Sequence, residues 1–216
     1  MTEMHDNGPQ NAGSSETNHK LREKNRFALL IRSAKLKCEL GEFLCIVRDV
    51  SEGGVKLRLF HPLPPCDAFQ IELSSRQSFE IQPVWTKGDL SGFSFASTVD
   101  VAEFISERSQ FPKRALRLEL NAPAIVRTSA GAFSATICDL SREGARIETQ
   151  VALALEQKVT LEAAHFTSRV GTIRWRKTPT YGVALQNLLS FESLALTAAR
   201  MQLPPEYLEA RNGTEA

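Results

Sequence analysis

Val55, Leu57 and Leu59 alternate with Lys56 and Arg58, so the stretch VKLRLF has one apolar and one charged face. A period of two is that of a half-buried β-strand. From LREKNRFALLIRSAKLKCEL onward, short apolar runs of this kind recur, broken about every 8 to 12 residues by Gly, Pro or Ser. The pattern predicts strands over 43–50, 55–60, 68–73, 79–86 and 92–98, and again over 124–128, 133–140, 145–150, 158–163, 170–177 and 181–187. Two segments break the period. VDVAEFISERSQF (99–111) lacks turn signals and sets Val101, Phe104 and Ile105 at helical spacing, with Asp100 near its start and Arg108 near its end. FESLALTAARMQL (191–203) reads as a second helix, with PPEY stopping it. Residues 1–19 carry only two methionines and one alanine as apolar side chains, too few to offset the entropy of ordering, and are expected to form a disordered arm.

The strand runs come in two sets that overlay at a constant interval. Gly41 and Gly131, Phe43 and Phe133, Asp49 and Asp139, Ser51 and Ser141, Gly54 and Gly144, Trp85 and Trp175, and Gly92 and Gly182 are each 90 residues apart (139 − 49 = 90). The chain's only two tryptophans are therefore in register, which marks an internal duplication. The expected organisation is an arm (1–19), a first unit (20–108) and a second unit (109–216) ending in a helix.

Composition narrows the class of function. The 26 basic and 25 acidic residues leave a net charge of +1, so no overall field draws the chain to nucleic acid or anionic lipid, and any electrostatic function is local. Cys38, Cys45, Cys66 and Cys138 contain no Cys-x-x-Cys pair and read as free, buried or half-buried thiols. Four scattered histidines assemble neither a metal cluster nor a Ser/His/Asp arrangement by local spacing, and no P-loop or Rossmann glycine pattern occurs. No apolar segment approaches the ~18 residues of a membrane span, and the N-terminus lacks a signal-peptide core. A cytoplasmic protein without catalytic function or metal is the expectation. Trp85 and Trp175 are expected to pack in the core or at a barrel edge rather than serve as base-stacking platforms.

The candidate chemistry lies around the repeated turn, DVSEGG at 49–54 and DLSREG at 139–144. Upstream of the first, REKNR sets Arg22 and Arg26 four apart, two planar forks suited to phosphate, to the guanine O6/N7 edge, or to stacking on a base. Asp49 would accept from the ring N–H and amino donors of guanine, Ser51 offers a hydroxyl, and Gly54 permits a positive φ or close approach of a ligand. Together they suit an anionic small molecule that contains guanine.

This pattern, Arg-x-x-x-Arg followed by Asp-x-Ser-x-x-Gly, resembles that of the PilZ domains, bacterial receptors for the second messenger cyclic di-GMP. The matching residues are Arg22, Arg26, Asp49, Ser51 and Gly54; the strands ending at Trp85 and beginning at Gly92 are also similar. The resemblance implies two tandem six-stranded Greek-key-type β-barrels, each followed by a short helix, with cyclic di-GMP as ligand and no further cofactor. In the second copy Asp139, Ser141 and Gly144 are retained, but the 90-residue offset carries Arg22 onto Pro112 and Arg26 onto Leu116. A basic pair stands nearby as Lys113 and Arg117, with Arg108 and Arg114 beside it. Lysine cannot reproduce the bidentate, stacking role of arginine, so the second unit is expected to be a diverged copy kept for packing or partner contact rather than a full receptor. The leading expectation is a cyclic di-GMP receptor that signals to a downstream protein partner by rearranging its arginine arm; the alternatives are a ligand-independent adaptor and an RNA-binding small barrel.

Overall fold

The computed structural model describes residues 27–106 and 116–209. The arm over 1–19, Arg22, Arg26, Lys113 and the part of the first predicted helix beyond Ser106 lie outside the described residues.

Six strands form the first unit: β1 (Phe27–Cys38), β2 (Gly41–Ser51), β3 (Gly54–Leu59), β4 (Phe69–Glu72), β5 (Ser78–Lys87) and β6 (Leu90–Phe95), followed by helix α1 (Val101–Ser106). Six more form the second: β7 (Arg117–Thr128), β8 (Gly131–Ser141), β9 (Gly144–Glu148), β10 (Lys158–Ala163), β11 (Phe166–Lys177) and β12 (Thr180–Leu185). Each set closes into an antiparallel barrel with the same neighbour order, β1-β2-β3-β6-β5-β4 and β7-β8-β9-β12-β11-β10. The crossover that makes the third strand a neighbour of the sixth is the Greek-key element, and closure leaves no free sheet edge.

Alternation does what the sequence predicts in β3: Val55, Leu57 and Leu59 are buried. Phe79, Phe95 and Phe104 of α1 meet edge-on or tilted, with ring centroids 5.2 to 5.9 Å apart. Asp100 caps α1, its carboxylate accepting from the amides of Ala102 (2.8 Å) and Glu103 (3.2 Å). Helix α2 (Phe191–Gln202) begins at Ser190, whose side chain accepts from the Ser193 amide. PPEY does not simply end the helical region: after Leu203 the chain starts a further short helix, α3 (Pro205–Glu209), because proline is well tolerated in a first turn.

The barrels share material. Glu42 to Val47 are all buried, a continuous run where alternation was expected, because β2 is covered on both faces. Phe43, Cys45 and Val47 join the core of the first barrel, while Leu44 joins that of the second. Helix α2 does the converse: Leu194, Ala195 and Ala198 belong to the second core, Ala199 and Leu203 to the first. Its alanines are fully buried, and their small side chains let the helix lie between the two cores. Where α2 ends, the Gln202 amide binds the backbone of Glu42 twice, accepting from its N–H (3.0 Å) and donating to its carbonyl (2.8 Å).

Candidate functional site

The turn between β2 and β3 is held by its own side chains. Ser51 Oγ donates to the Gly54 carbonyl (3.3 Å); in the second copy Ser141 Oγ donates to the Gly144 carbonyl (3.1 Å) and accepts from the Gly144 amide (3.2 Å). Ser141 has no exposed surface. The turn carbonyls also fasten the chain on its way to the helix, Glu52 O accepting from Val99 N and Arg142 O from Leu189 N. Serine thus has a folding role in both copies.

The glycine is required for a reason the sequence did not reveal. Neither Gly54 nor Gly144 has a positive φ. A Cβ on Gly54 would stand 2.5 Å from the carbonyl oxygen of Phe93, and one on Gly144 would stand 2.3 Å from that of Val183. Close approach of the neighbouring strand, rather than a left-handed turn or a ligand, excludes a side chain here.

Asp49 and Asp139 each follow a β-bulge on the second strand of their barrel. Their surroundings differ. Both oxygens of Asp139 are engaged: Arg117 donates to Oδ1 at 2.9 Å and Arg146 to Oδ2 at 2.6 Å. The hydrogen bond to Asp139 raises the Arg146 guanidinium further above its ordinary value. Asp49 has only Lys56 at 3.6 Å from Oδ2, and its Oδ1 is buried with no hydrogen-bond partner among the described residues. An unpartnered buried carboxylate oxygen is costly. Beside it runs an open groove of about 340 Å³, lined by Asp49, Ser51, Lys56, Val84, Trp85 and Ser94 among others.

Trp85 and Trp175 are not core residues. They are 44% and 42% exposed, each laid across a glycine of the next strand. A Cβ on Gly92 would fall 2.1 Å from Trp85 Nε1, and one on Gly182 would fall 2.0 Å from Trp175 Nε1. The core expectation fails: each ring is seated flat over a glycine with its other face exposed, and that of Trp85 lines the groove.

The strand register also corrects the overlay of the basic pairs. Phe27 pairs with Val50 and Leu118 with Leu140, so Leu118 is the counterpart of Phe27, an interval of 91 rather than 90. The extra residue lies in a bulge: three residues separate Ala28 from Arg32 on β1, but two separate Glu119 from Ala122 on β7. Upstream of that bulge the interval of 91 carries Arg22 onto Lys113 and Arg26 onto Arg117, not onto Pro112 and Leu116. The second copy therefore differs from the first by a single Arg-to-Lys change in this motif. Allowing a one-residue gap when aligning the basic pair would have found it.

A third cluster, missed in the sequence, joins the two barrels. Glu42 is 5% exposed and bridges Lys35 (3.1 Å) and Lys37 (3.0 Å), and it accepts from the Glu119 amide at 2.8 Å. Burial works against the charged carboxylate, but the Glu119 amide and the two ammoniums outweigh it and hold the Glu42 carboxyl below its ordinary value.

A family model described as PilZ domain matches residues 20–110 and again 107–196. No curated protein matches the sequence at a significant level. Among solved structures, the chain is similar to the PlzA protein of Borreliella burgdorferi in complex with c-di-GMP (10% identity, 83% of this chain and 94% of that one, TM-score 0.34). It is also similar to the inhibitor of motility MotI/DgrA of Bacillus subtilis (9% identity, 88% and 100%, TM-score 0.35) and to YcgR of Escherichia coli in complex with c-di-GMP (10% identity, 74% and 76%, TM-score 0.27).

Proposed function

The chain belongs to the PilZ domain family, and from that membership we propose that its first barrel is a receptor for cyclic di-GMP. The observation that carries this reading is the buried Oδ1 of Asp49, unpartnered among the described residues, in the groove that Trp85 also lines. A guanine presents two parallel donors, the ring N1–H and the exocyclic N2–H, to a carboxylate. Asp49 supplies the acceptors, Trp85 a flat apolar face for the base, and Arg22 and Arg26 the forks for phosphate and for the O6/N7 edge. Ordering of the arginine arm on the ligand then shifts the population of arm conformations, which a downstream protein partner reads.

In the second barrel the donors that guanine would bring are already supplied by Arg117 and Arg146, whose N–H groups fill both oxygens of Asp139. A ligand there must displace two charge-assisted hydrogen bonds, so Asp139 with Arg117 and Arg146, on the turn of Ser141 and Gly144, forms a self-liganded copy. This favours a packing or partner-contact role for the second unit.

Calorimetric titration of the full chain with cyclic di-GMP tests the proposal. Binding with the stoichiometry of one barrel is expected. Arg22→Ala or Arg26→Ala should each weaken it roughly ten- to a hundredfold, the loss of hydrogen bonds worth about 1.5 to 3 kcal/mol, and Asp49→Ala should do at least as much. Cyclic di-AMP, whose adenine N1 is an acceptor facing the carboxylate, should not bind. Absence of heat at high micromolar cyclic di-GMP would overturn the reading, as would an Arg22→Ala/Arg26→Ala double variant that binds like the parent. A partner pull-down unchanged by nucleotide and by these substitutions would instead assign the protein to ligand-independent adaptors.

A further inference from the structure

Cys38 is the last residue of β1, and Cys66 lies in the loop HPLPPCD between β3 and β4. Pro62, Pro64 and Pro65 stiffen that loop, and the Cys66 amide donates to the Pro64 carbonyl at 2.9 Å, a tight turn that presents the thiol. The two Sγ atoms stand 2.7 Å apart, Cys66 donating to Cys38. Both residues are half-buried and reachable by a small reagent, whereas Cys45 is fully buried and Cys138 belongs to the other barrel.

The pair is not needed by the fold. At the 90-residue interval its counterparts are Thr128 and Glu156, and the second barrel closes in the same strand order without them. A second groove, of about 440 Å³, opens beside Cys38 along Lys37, Phe69 and Gln82, and it shares no lining residue with the groove at Asp49.

We propose that Cys38 and Cys66 form a reversible disulfide with a hydroperoxide as the oxidant, a thiol redox site separate from the nucleotide groove. Burial, with the Cys66 sulfur beside it, pushes the Cys38 thiol up to about 12, which makes Cys38 the poorer attacker; Cys66, on its loop, attacks first and Cys38 resolves it. The Cys66 thiolate attacks one peroxide oxygen; the O–O bond breaks, and the leaving oxygen takes up a proton and departs as water or alcohol. Cys66 is then a sulfenic acid. The Cys38 sulfur attacks it, the S–O bond breaks as the S–S bond forms, and the oxygen leaves as water with the proton Cys38 gives up. Two thiols lose two electrons, and the peroxide gains them.

The bond would close a loop across β2 and β3 and brace the β1–β2 hairpin, which carries the Glu42–Gln202 contact to α2.

The test uses the reduced full chain, treated with hydrogen peroxide, alkylated and digested with trypsin. Cleavage after Lys37, Arg48, Arg58 and Arg76 places Cys38 in 38–48 and Cys66 in 59–76. The expected product is these two peptides joined, with fragmentation placing the link at Cys38 rather than Cys45, and separation by dithiothreitol. Oxidation should raise the urea midpoint of the parent and leave that of Cys66→Ser unchanged; Cys66→Ser should fold, since the second barrel carries Glu156 at that place. Cys38→Ser should accumulate a Cys66 sulfenic acid that dimedone captures. Separate alkylation of Cys38 and Cys66 after peroxide, or a link that runs to Cys45 or Cys138, would overturn the proposal.

Discussion

At the scale of single residues, the two copies of Asp-x-Ser-x-x-Gly separate into shared folding parts and one differing part. Ser51 and Ser141 staple the turn, and Gly54 and Gly144 make room for a neighbouring backbone. Only the aspartates differ, and they differ through what surrounds them. Arg146 reaches Asp139 at 2.6 Å, where its counterpart Lys56 stays 3.6 Å from Asp49. Arg146 accounts for Oδ2 of Asp139 alone, and Oδ1 is engaged by Arg117, whose counterpart Arg26 lies outside the described residues. Replacing Arg146 with Lys should therefore loosen the lock and add a second, weaker binding event to the cyclic di-GMP titration; an unchanged isotherm would show that Arg117 alone keeps Asp139 closed. Trp85→Ala should cost about 1 to 3 kcal/mol of binding if its ring stacks on a base, with no comparable loss from Trp175→Ala. Equal, negligible effects of both would return Trp85 to a packing role.

At the scale of elements, strand β2 and helix α2 carry most of what distinguishes this chain from two separate barrels. Gly41 opens β2 at φ +133°, and a Cβ there would meet the Gln202 side-chain oxygen at 1.9 Å. Its counterpart Gly131 has φ +137°, but the nearest atom to an added Cβ is on Phe133 at 3.8 Å. The backbone strain is thus common to both sites, while the clash occurs at one. Gly131→Ala should lower stability by the strain alone, about 1 to 3 kcal/mol, and Gly41→Ala by more. In a Gln202→Ala background the difference should shrink, which urea unfolding of the four variants would measure. Equal costs in both backgrounds would mean that α2 yields freely at its end. The unequal bulges of β1 and β7 belong to the same scale. One inserted residue moves every position upstream of it, which is why a constant interval matched the turns, tryptophans and glycines but misplaced the basic pair.

At the scale of the whole molecule, Glu42 is the charged tie between the barrels. Its carboxyl lies below its ordinary value in the folded chain. The stabilisation is therefore complete above the value of the unfolded chain and is lost as pH falls through the lower, folded value. Acid should loosen the junction, and Glu42→Gln should flatten the dependence of the urea midpoint on pH across the acid limb while lowering the midpoint at neutral pH by about 2 kcal/mol equivalent. A pH profile parallel to that of the parent would mean that other carboxylates dominate acid unfolding. Leu44, Ala199 and Leu203, each counted in a core with residues of the opposite barrel, make the junction apolar as well as ionic.

The pattern of apolar and polar positions placed most strands in outline, though not the bounds of β1 or the start of β7, and two in-register tryptophans were enough to reveal the duplication, because strand period and copied order are local properties of the chain. The Asp-x-Ser-x-x-Gly turn was legible for the same reason. What only the tertiary structure decided are relations between residues distant in sequence. The engagement of both Asp139 oxygens depends on Arg117 and Arg146 arriving from different strands. Gly54 depends on the backbone of β6, and the exposure of Trp85 on the glycine beneath it. The buried run of β2 depends on α2, about 150 residues later in the chain. Periodicity records which face of an element is apolar; it holds no record of which partner covers that face, and among the described residues those partners leave a carboxylate oxygen open in one of two similar turns.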